Sequence, residues 1–280
     1  MTKTLQLVCH PSWMRDEIAA AGIRMHHSYG IEIPEFAPDD IWWMPQGFAV
    51  ELNKALEYYG RERVELISPG NELLPSVPEK YTKRIITKLT AAEALASPKD
   101  GWWKSAEAKI DTFPSKYRTS SEISDDIHKA ELPSDAVLHY TPTILPLARE
   151  FRSFVSNGRV TTTSVYLVID GENQTTVYDG AKSLPGDIER VESFLETVFS
   201  EVDIPPSVVV DTAILVNSDL ALLEFNPSWC SAWYDNDLNA VVASIECGFD
   251  LDEPTLAAWR YVPDSYFADK ISRKPVLPKR

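Results

Sequence analysis

The chain has 280 residues, 42 of them acidic and 27 basic, for a net charge of −15 at pH 7. Affinity for a nucleic-acid backbone comes mainly from Lys and Arg contacts to phosphate, so this balance argues against nucleic acid and against an anionic membrane surface as partners. Apolar residues at 44% and charged residues at 25% are globular values that allow a sizeable core.

Residues 4–9 read as a first strand and Val64–Ser68 as a second. Between them, Pro45 to Tyr59 carries Phe48, Val50, Leu52, Ala55, Leu56 and Tyr59 at helical spacing. Strand, helix and strand in that order predict a small α/β unit, with Trp42, Trp43 and Met44 in its core. Ser68-Pro69-Gly70-Asn71, with Pro75 and Pro78 close behind, signals a boundary. Ile85 to Ala96 reads as a helix ended by Pro98, and Trp102-Trp103-Lys104 as a short strand. Pro133 to Tyr140 leads into another strand and a Pro-containing segment, Thr141 to Pro146. Phe151–Val155 and Val160–Ile169 are strands joined at Asn157-Gly158, a strong hairpin signal. Asp187 is placed to cap a helix with Ile188, Val191, Leu195, Val198 and Phe199 on one face. Ser207–Val216 and Leu220–Asn226 are paired strands around Asn217-Ser218-Asp219, and Asp237 caps a final helix stopped at Gly248. Residues 262–280, with Pro263, Pro275 and Pro278, read as a loosely packed basic tail.

No apolar run approaches the ~18 residues of a membrane span, and the first ten residues hold no apolar stretch of secretory length. Cys9, Cys230 and Cys247 are widely spaced and form neither a disulfide framework nor a zinc pattern, which predicts a cytoplasmic protein. Glycine is scarce, at 11 residues, and neither a G-x-G-x-x-G nor a G-x-x-x-x-G-K-[ST] loop is present. The five histidines do not cluster, and the adjacent pair His26-His27 points apart on a regular element.

Chemistry concentrates near Asp211–Asn226. Glu224 and Asn226 are two apart on a strand and share one face. An unpaired charge among Leu220, Leu222, Leu223 and Phe225 is costly, so Glu224 needs a partner. Asp211 on the preceding strand comes opposite Glu224 if residues 216–219 form the loop, or if a bulge shifts the register. Three oxygen ligands, two of them anionic, suit Mg²⁺, which commonly completes its shell with nucleotide phosphates. A pair between Glu224 and a Lys or Arg at the sheet rim satisfies the same pattern. Glu150 and Arg152 also share a face, and pairing of Ser156 with Arg159 adds Thr161, Thr163 and Val165 to it. An Arg held on a strand beside a metal can grip a phosphate in fixed geometry; the alternative is a surface Glu–Arg pair. Lys80, Lys83 and Lys88 read as solvated helix charges, whereas Lys104 follows two tryptophans on a part-buried strand.

Four segments together resemble the ATP-grasp superfamily, in particular its clade of small phage and bacterial members named for two arginines and a lysine. They are Tyr81-Thr82-Lys83-Arg84 with Thr90 to Ala94; Trp102 to Lys109 with Phe113-Pro114; Glu150 to Val155 with Asn157 to Val160; and Pro205 to Asp211 with Leu223 to Trp229. The chain departs from that pattern at Ser105, where the clade has proline, at Glu107, where it has Asp, and at Cys230-Ser231-Ala232, where it has a Gly-containing turn. The resemblance implies an α+β ATP-grasp fold. Two α+β subdomains, residues 76–142 and 143–261, clasp ATP; a small N-terminal α/β domain, residues 1–75, precedes them, and the tail follows.

By position, the resemblance places Lys104 at adenine or the α-phosphate, Arg84 and Lys109 at the phosphates, and Thr143, Ile144 and Leu145 at adenine. Glu150 belongs to the same nucleotide set, and Arg152 is the catalytic contact to the γ-phosphate or acyl phosphate. Asp211, Glu224 and Asn226 are the Mg²⁺ ligands; Trp229, Tyr234 and Asp237 lie on the acceptor side. The implied activity is an ATP-dependent ligase: a substrate carboxylate takes the γ-phosphoryl group, and an amine or other nucleophile then displaces phosphate. Such a reaction needs no protein nucleophile, in keeping with the absence of a G-x-S-x-G elbow. The expected substrate is a small molecule, amino acid or peptide. Two other readings share the site: a non-catalytic ATP-binding regulatory module, and a small-molecule phosphotransferase.

Overall fold

A computed structural model describes residues 3–8, 10–28, 40–106 and 109–270. Cys9, Glu107, Ala108 and the stretch 271–280 of the predicted tail lie outside the described residues. Among the described residues, three sheets organise the chain. The first is parallel, in the order β2-β1-β3, from β1 (Leu5–Val8), β2 (Met25–Ser28) and β3 (Ile41–Trp43). Its central strand is buried along its whole length, as expected where both faces of a parallel sheet are covered. Helices α1 (Ser12–Ala20) and α2 (Gln46–Tyr58) turn Met14, Ile18, Phe48, Leu52 and Leu56 into this core.

The predicted strand at Val64–Ser68 does not form. Asn53 takes its place as a partner: its side-chain amide donates to the Val64 carbonyl at 3.0 Å and its oxygen accepts from the Val64 N–H at 2.9 Å. The rest of that segment is tied to the chain near Trp259 and Tyr261, with one isolated bridge between Ile67 and Arg260.

Two short helices, α3 (Leu73–Ser76) and α4 (Glu79–Thr82), lead into the second sheet. It is antiparallel, in the order β4-β7-β5-β6, from β4 (Thr87–Thr90), β5 (Gly101–Ser105), β6 (Lys116–Arg118) and β7 (Val137–Thr141). Helices α5 (Ala91–Ala96) and α6 (Ser120–Lys129) cover it around Trp103, Ile123, Ile127 and Leu138. The helix predicted from Ile85 thus begins only at Ala91. Thr90 and Glu93 form a capping box, each side chain satisfying the other's backbone N–H, which starts the helix there and leaves Thr87–Thr90 free to pair with β7.

The third sheet is antiparallel, in the order β10-β9-β8-β11-β12. Its strands are β8 (Leu147–Ser156), β9 (Arg159–Asp170), β10 (Asn173–Thr176), β11 (Ser207–Leu215) and β12 (Leu220–Asn226). Asn157 and Gly158 both take positive φ, 48° and 75°, as a two-residue hairpin turn requires. Helix α7 (Asp187–Phe199) packs Val191, Leu195 and Val198 on Phe151, Val208 and Val210. Its cap is Gly186 rather than the predicted Asp187, whose carboxylate accepts from Leu184 N at 3.0 Å and pairs with Arg149 at 2.7 Å. On the opposite face, α8 (Leu238–Glu246), capped by Asp237, joins Phe154 and Val209 to the core of the N-terminal unit.

Two more helices follow, α9 (Glu253–Trp259) and α10 (Ser265–Lys270). The loosely packed tail predicted from residue 262 is therefore ordered at its start: Phe267 packs against both the N-terminal core and that of the second sheet. No helix among the described residues is long and apolar enough to cross a membrane.

Gly101 marks the tightest packing in the second sheet. A Cβ there meets the Thr141 carbonyl oxygen at 2.6 Å and the Tyr140 ring at 2.5 Å. Gly101→Ala is expected to destabilise the protein by about 1–3 kcal/mol through overpacking, read as a lower denaturant midpoint with an unchanged slope.

Candidate functional site

The third sheet builds the site from register. Period two puts Glu150, Arg152 and Phe154 on one face of β8. Arg152 stands directly opposite Asp211 of β11, and Asp211 opposite Glu224 of β12. The β11–β12 pairing reaches this arrangement through the bulge alternative. Thr212 faces Leu222 while Asp211 faces Glu224, so Leu223 has no partner in the ladder. Its carbonyl accepts instead from Arg84 Nη2 at 3.0 Å, which ties the chain before β4 to the edge of the third sheet.

Bulges also correct the expected face of β9. The register shifts between Phe154 and Val155 and again between Glu150 and Phe151, so Arg152 faces Ser164, not Thr163. Thr163 bonds Ser153 and Val165 joins the α7 core, whereas Thr161, Thr163 and Val165 were expected beside Arg152. The second shift leaves Tyr166 outside the ladder, and its hydroxyl donates to Glu150 Oε2.

Side-chain contacts converge on two acids. Arg152 donates from Nε and Nη2 to the two oxygens of Asp211, at 2.8 and 2.7 Å, and from Nη1 to the Ala232 carbonyl at 3.1 Å. Lys104 donates to Glu224 Oε2, and Lys109 lies 3.5 Å from Oε1. Asn226 Nδ2 donates to Glu224 Oε1 at 2.9 Å and to Asp211 Oδ2 at 3.3 Å. Two of the three predicted oxygen donors therefore meet, while Asn226 turns its nitrogen to them. The alternative expected for this strand, a pair between Glu224 and a lysine, is present.

A cavity of about 280 Å³ opens beside Glu224 and Lys104, between the second and third sheets. Arg84, Lys104, Glu150 and Glu224 form its polar wall; Ile86, Ile144, Leu145, Leu147 and Leu223 form its apolar wall, with Thr143 at the segment joining the sheets. Trp102, His139 and Tyr166 also line it. Sequence patterns alone do not assign these three to the site, although two of them carry a signal. Trp102 follows period two opposite the buried Trp103, and His139 pairs with Lys104 in the β5–β7 ladder. Tyr166 reaches the site only through a bulge.

Arg152 is not among the residues that line this cavity; Asp211 and Ala232 hold its guanidinium. Trp229 is corrected: it is 2% exposed, donates to the Ile67 carbonyl at 2.7 Å and packs on Tyr261. It is a core residue, not a substrate contact. Asp237 caps α8 through Ala240 N at 2.8 Å and lines a separate surface depression together with Tyr234.

The charges follow from this packing. Burial raises the Asp211 carboxyl above its ordinary value against the pull of Arg152, and the like charge of Glu224 adds to the rise. Burial also works against ionised Glu224, but Lys104 and Lys109 outweigh it and hold the group well below the carboxylate range. Lys104 is lowered by burial despite Glu224. Burial brings Arg84 down to about 10, opposed by Glu224 and Glu150. Burial pushes Glu150 up to about 7, with Asp211 and Glu224 adding to the rise against the Tyr166 hydrogen bond. His139 is brought down to about 4 by burial, with Lys104 adding to the fall, and is neutral near pH 7.

Among described residues, no cluster of three or more His, Cys, Asp or Glu side chains is arranged to hold a metal. The expected set has two carboxylates and one amide. Two acids buried side by side, each already held by a cationic side chain, form a donor pair that fits a hard divalent cation.

No curated protein sequence matches the chain. Among solved structures it is similar to D-alanyl-alanine synthetase A from Vibrio cholerae, at 12% identity over 98% of this chain and 100% of that one, with a TM-score of 0.47. It is similar to a RimK domain ATP-grasp protein from Sphaerobacter thermophilus, at 12% identity over 90% and 100% of the two chains, with a TM-score of 0.49. It is also similar to D-alanine–D-alanine ligase from Bacillus anthracis complexed with ATP, at 13% identity over 80% and 85%, with a TM-score of 0.47. The model of family 2 of the ATP-grasp domains in the clade named for two arginines and a lysine matches residues 81–244, more than half of the chain, and the protein belongs to that family.

Proposed function

We propose that the protein is an ATP-dependent, ADP-forming ligase that joins a carboxylate to an amine or another nucleophile through an acyl phosphate. The observation that carries this reading is the cavity between the second and third sheets. There an apolar wall suited to a base runs into a polar wall that holds Arg84, Lys104 and Glu224.

Ile144 and Leu145 receive the adenine, with Trp102 at the rim. Arg84 and Lys104 neutralise phosphate oxygens, and Lys109, more than half exposed, reaches the same region. Asp211 and Glu224, with Asn226, would hold Mg²⁺, which supplies charge neutralisation of the triphosphate when bound. Arg152 acts as a positioning residue, fixing both oxygens of Asp211. The substrate carboxylate attacks the γ-phosphorus and ADP leaves. The nucleophile then attacks the acyl carbon, phosphate leaves, and the amine gives up its proton. Positioning and charge neutralisation suffice for this sequence.

The test is product analysis with Mg-ATP and pools of amino acids and peptides. The ligase reading requires ADP and phosphate in equal amounts with a new amide or ester. AMP with pyrophosphate would overturn it; a stable phosphorylated small molecule would favour the phosphotransferase, and ATP binding without turnover the regulatory module. Glu224→Gln is expected to lower the turnover by about 100-fold or more, as for loss of a group that organises transition-state charge.

The Glu150 carboxyl gives a pH test. Its value rises from 4.5 to about 7 on folding, so the folded state holds the proton more tightly. Stability therefore falls as pH rises through that interval and stays lower above it. Glu150→Gln mimics the protonated form and is expected to flatten this fall, seen as a thermal midpoint that exceeds the wild type at pH 8 but not at pH 4.

A further inference from the structure

Tyr166 lines the nucleotide cavity, and Tyr234 lines a second, shallower depression of about 700 Å³. The two rings are stacked, 4.8 Å between centroids and 14° from parallel, so a wall residue of one space rests on a wall residue of the other. Arg152 sits against this stacked pair, 4.7 Å from the centre of Tyr234 and 5.7 Å from that of Tyr166.

The walls of the second depression are aromatic and acidic. Trp13 on α1 is 45% exposed and packs on Trp233 at 5.2 Å, while Tyr178 is 69% exposed and meets Tyr234 at 6.4 Å. Large aromatic rings left this open to water lose the burial that normally stabilises them. Glu17 and Asp235 line the same space, and none of the described residues lining it is basic. Neither of these carboxylates has an ion-pair partner among the described residues, whereas Asp237 is engaged at the first turn of α8. Aromatic faces attract cations through their quadrupoles, and unpaired carboxylates add direct Coulomb attraction.

We propose that this depression binds a cationic amine, either free or as the basic side chain of a peptide. Its role as the acceptor subsite rests on the ligase reading; its ability to bind a cation does not. The ammonium or guanidinium group lies against Trp13 and Tyr178 and faces Glu17 and Asp235.

The experiment titrates the full chain with lysine amide, arginine amide, spermidine and a Lys-containing tripeptide, with the uncharged N-acetylalanine amide and glutamate as controls. Binding is read by calorimetry and by tryptophan fluorescence. At least one cationic probe is expected to bind saturably and glutamate not at all. The Glu17→Gln/Asp235→Asn double variant should weaken that binding roughly tenfold, and Trp13→Ala should weaken it independently. ATP affinity and the thermal midpoint of the double variant are expected to match the wild type, which excludes a folding defect. Absence of saturable cation binding, equal binding of glutamate, or an unaffected double variant would overturn the proposal. Cation binding in a protein that forms no ADP would sink the ligase reading and leave this subsite standing. ADP formation without cation binding would do the reverse.

Discussion

Two carboxylates brought face to face in a buried part of a sheet repel one another strongly, because little water is present to screen them. The neighbourhood of Asp211 and Glu224 is organised around that repulsion. Arg152 grips one acid, Lys104 and Lys109 the other, and the Asn226 amide bridges the two. Truncating one member of such a set leaves a buried charge uncompensated, which is far more damaging than never having had the pair. The arrangement is thus a poor way to gain stability and a good way to keep negative charge poised at one point.

The lysines and arginines that balance these acids come from different parts of the chain. Arg152 is in the same sheet, Lys104 belongs to the second sheet, and Lys109 follows it on a segment whose backbone N–H is held by Gln46 of α2 at 2.9 Å. Arg84 reaches across from the segment before β4. Charge balance at the acids therefore depends on how the two antiparallel sheets and the N-terminal unit are set against one another. Phe267 of α10, packed on two of the three cores, contributes to that setting.

Period two was enough to place Glu150 with Arg152 and Glu224 with Asn226, since each pair lies within one strand. Faces across strands were less legible, because each depends on where an extra residue is inserted. The bulges around Thr161 and Tyr166 moved Ser164 beside Arg152 and brought Tyr166 to Glu150. The capping box at Thr90 and Glu93 is visible as a Thr-x-x-Glu pattern, and the same pattern at Thr119 and Glu122 starts α6. Val64–Ser68 has strand composition but no strand, because the side chain of Asn53 occupies the ladder positions of Val64. Trp229 matched a motif position, yet its role was decided by the core it enters, which no local pattern reveals.

The bulge at Leu223 has a further consequence at the margin of the sheet. β12 is an outer strand, and a regular outer strand offers a template on which another chain can add and polymerise. Here the ladder is broken at Leu223 and its carbonyl is claimed by Arg84, so the template is interrupted midway. At the other margin, β10 runs for only four residues. The distortion that aims an acid at the cavity thereby also discourages edge-to-edge aggregation of the sheet.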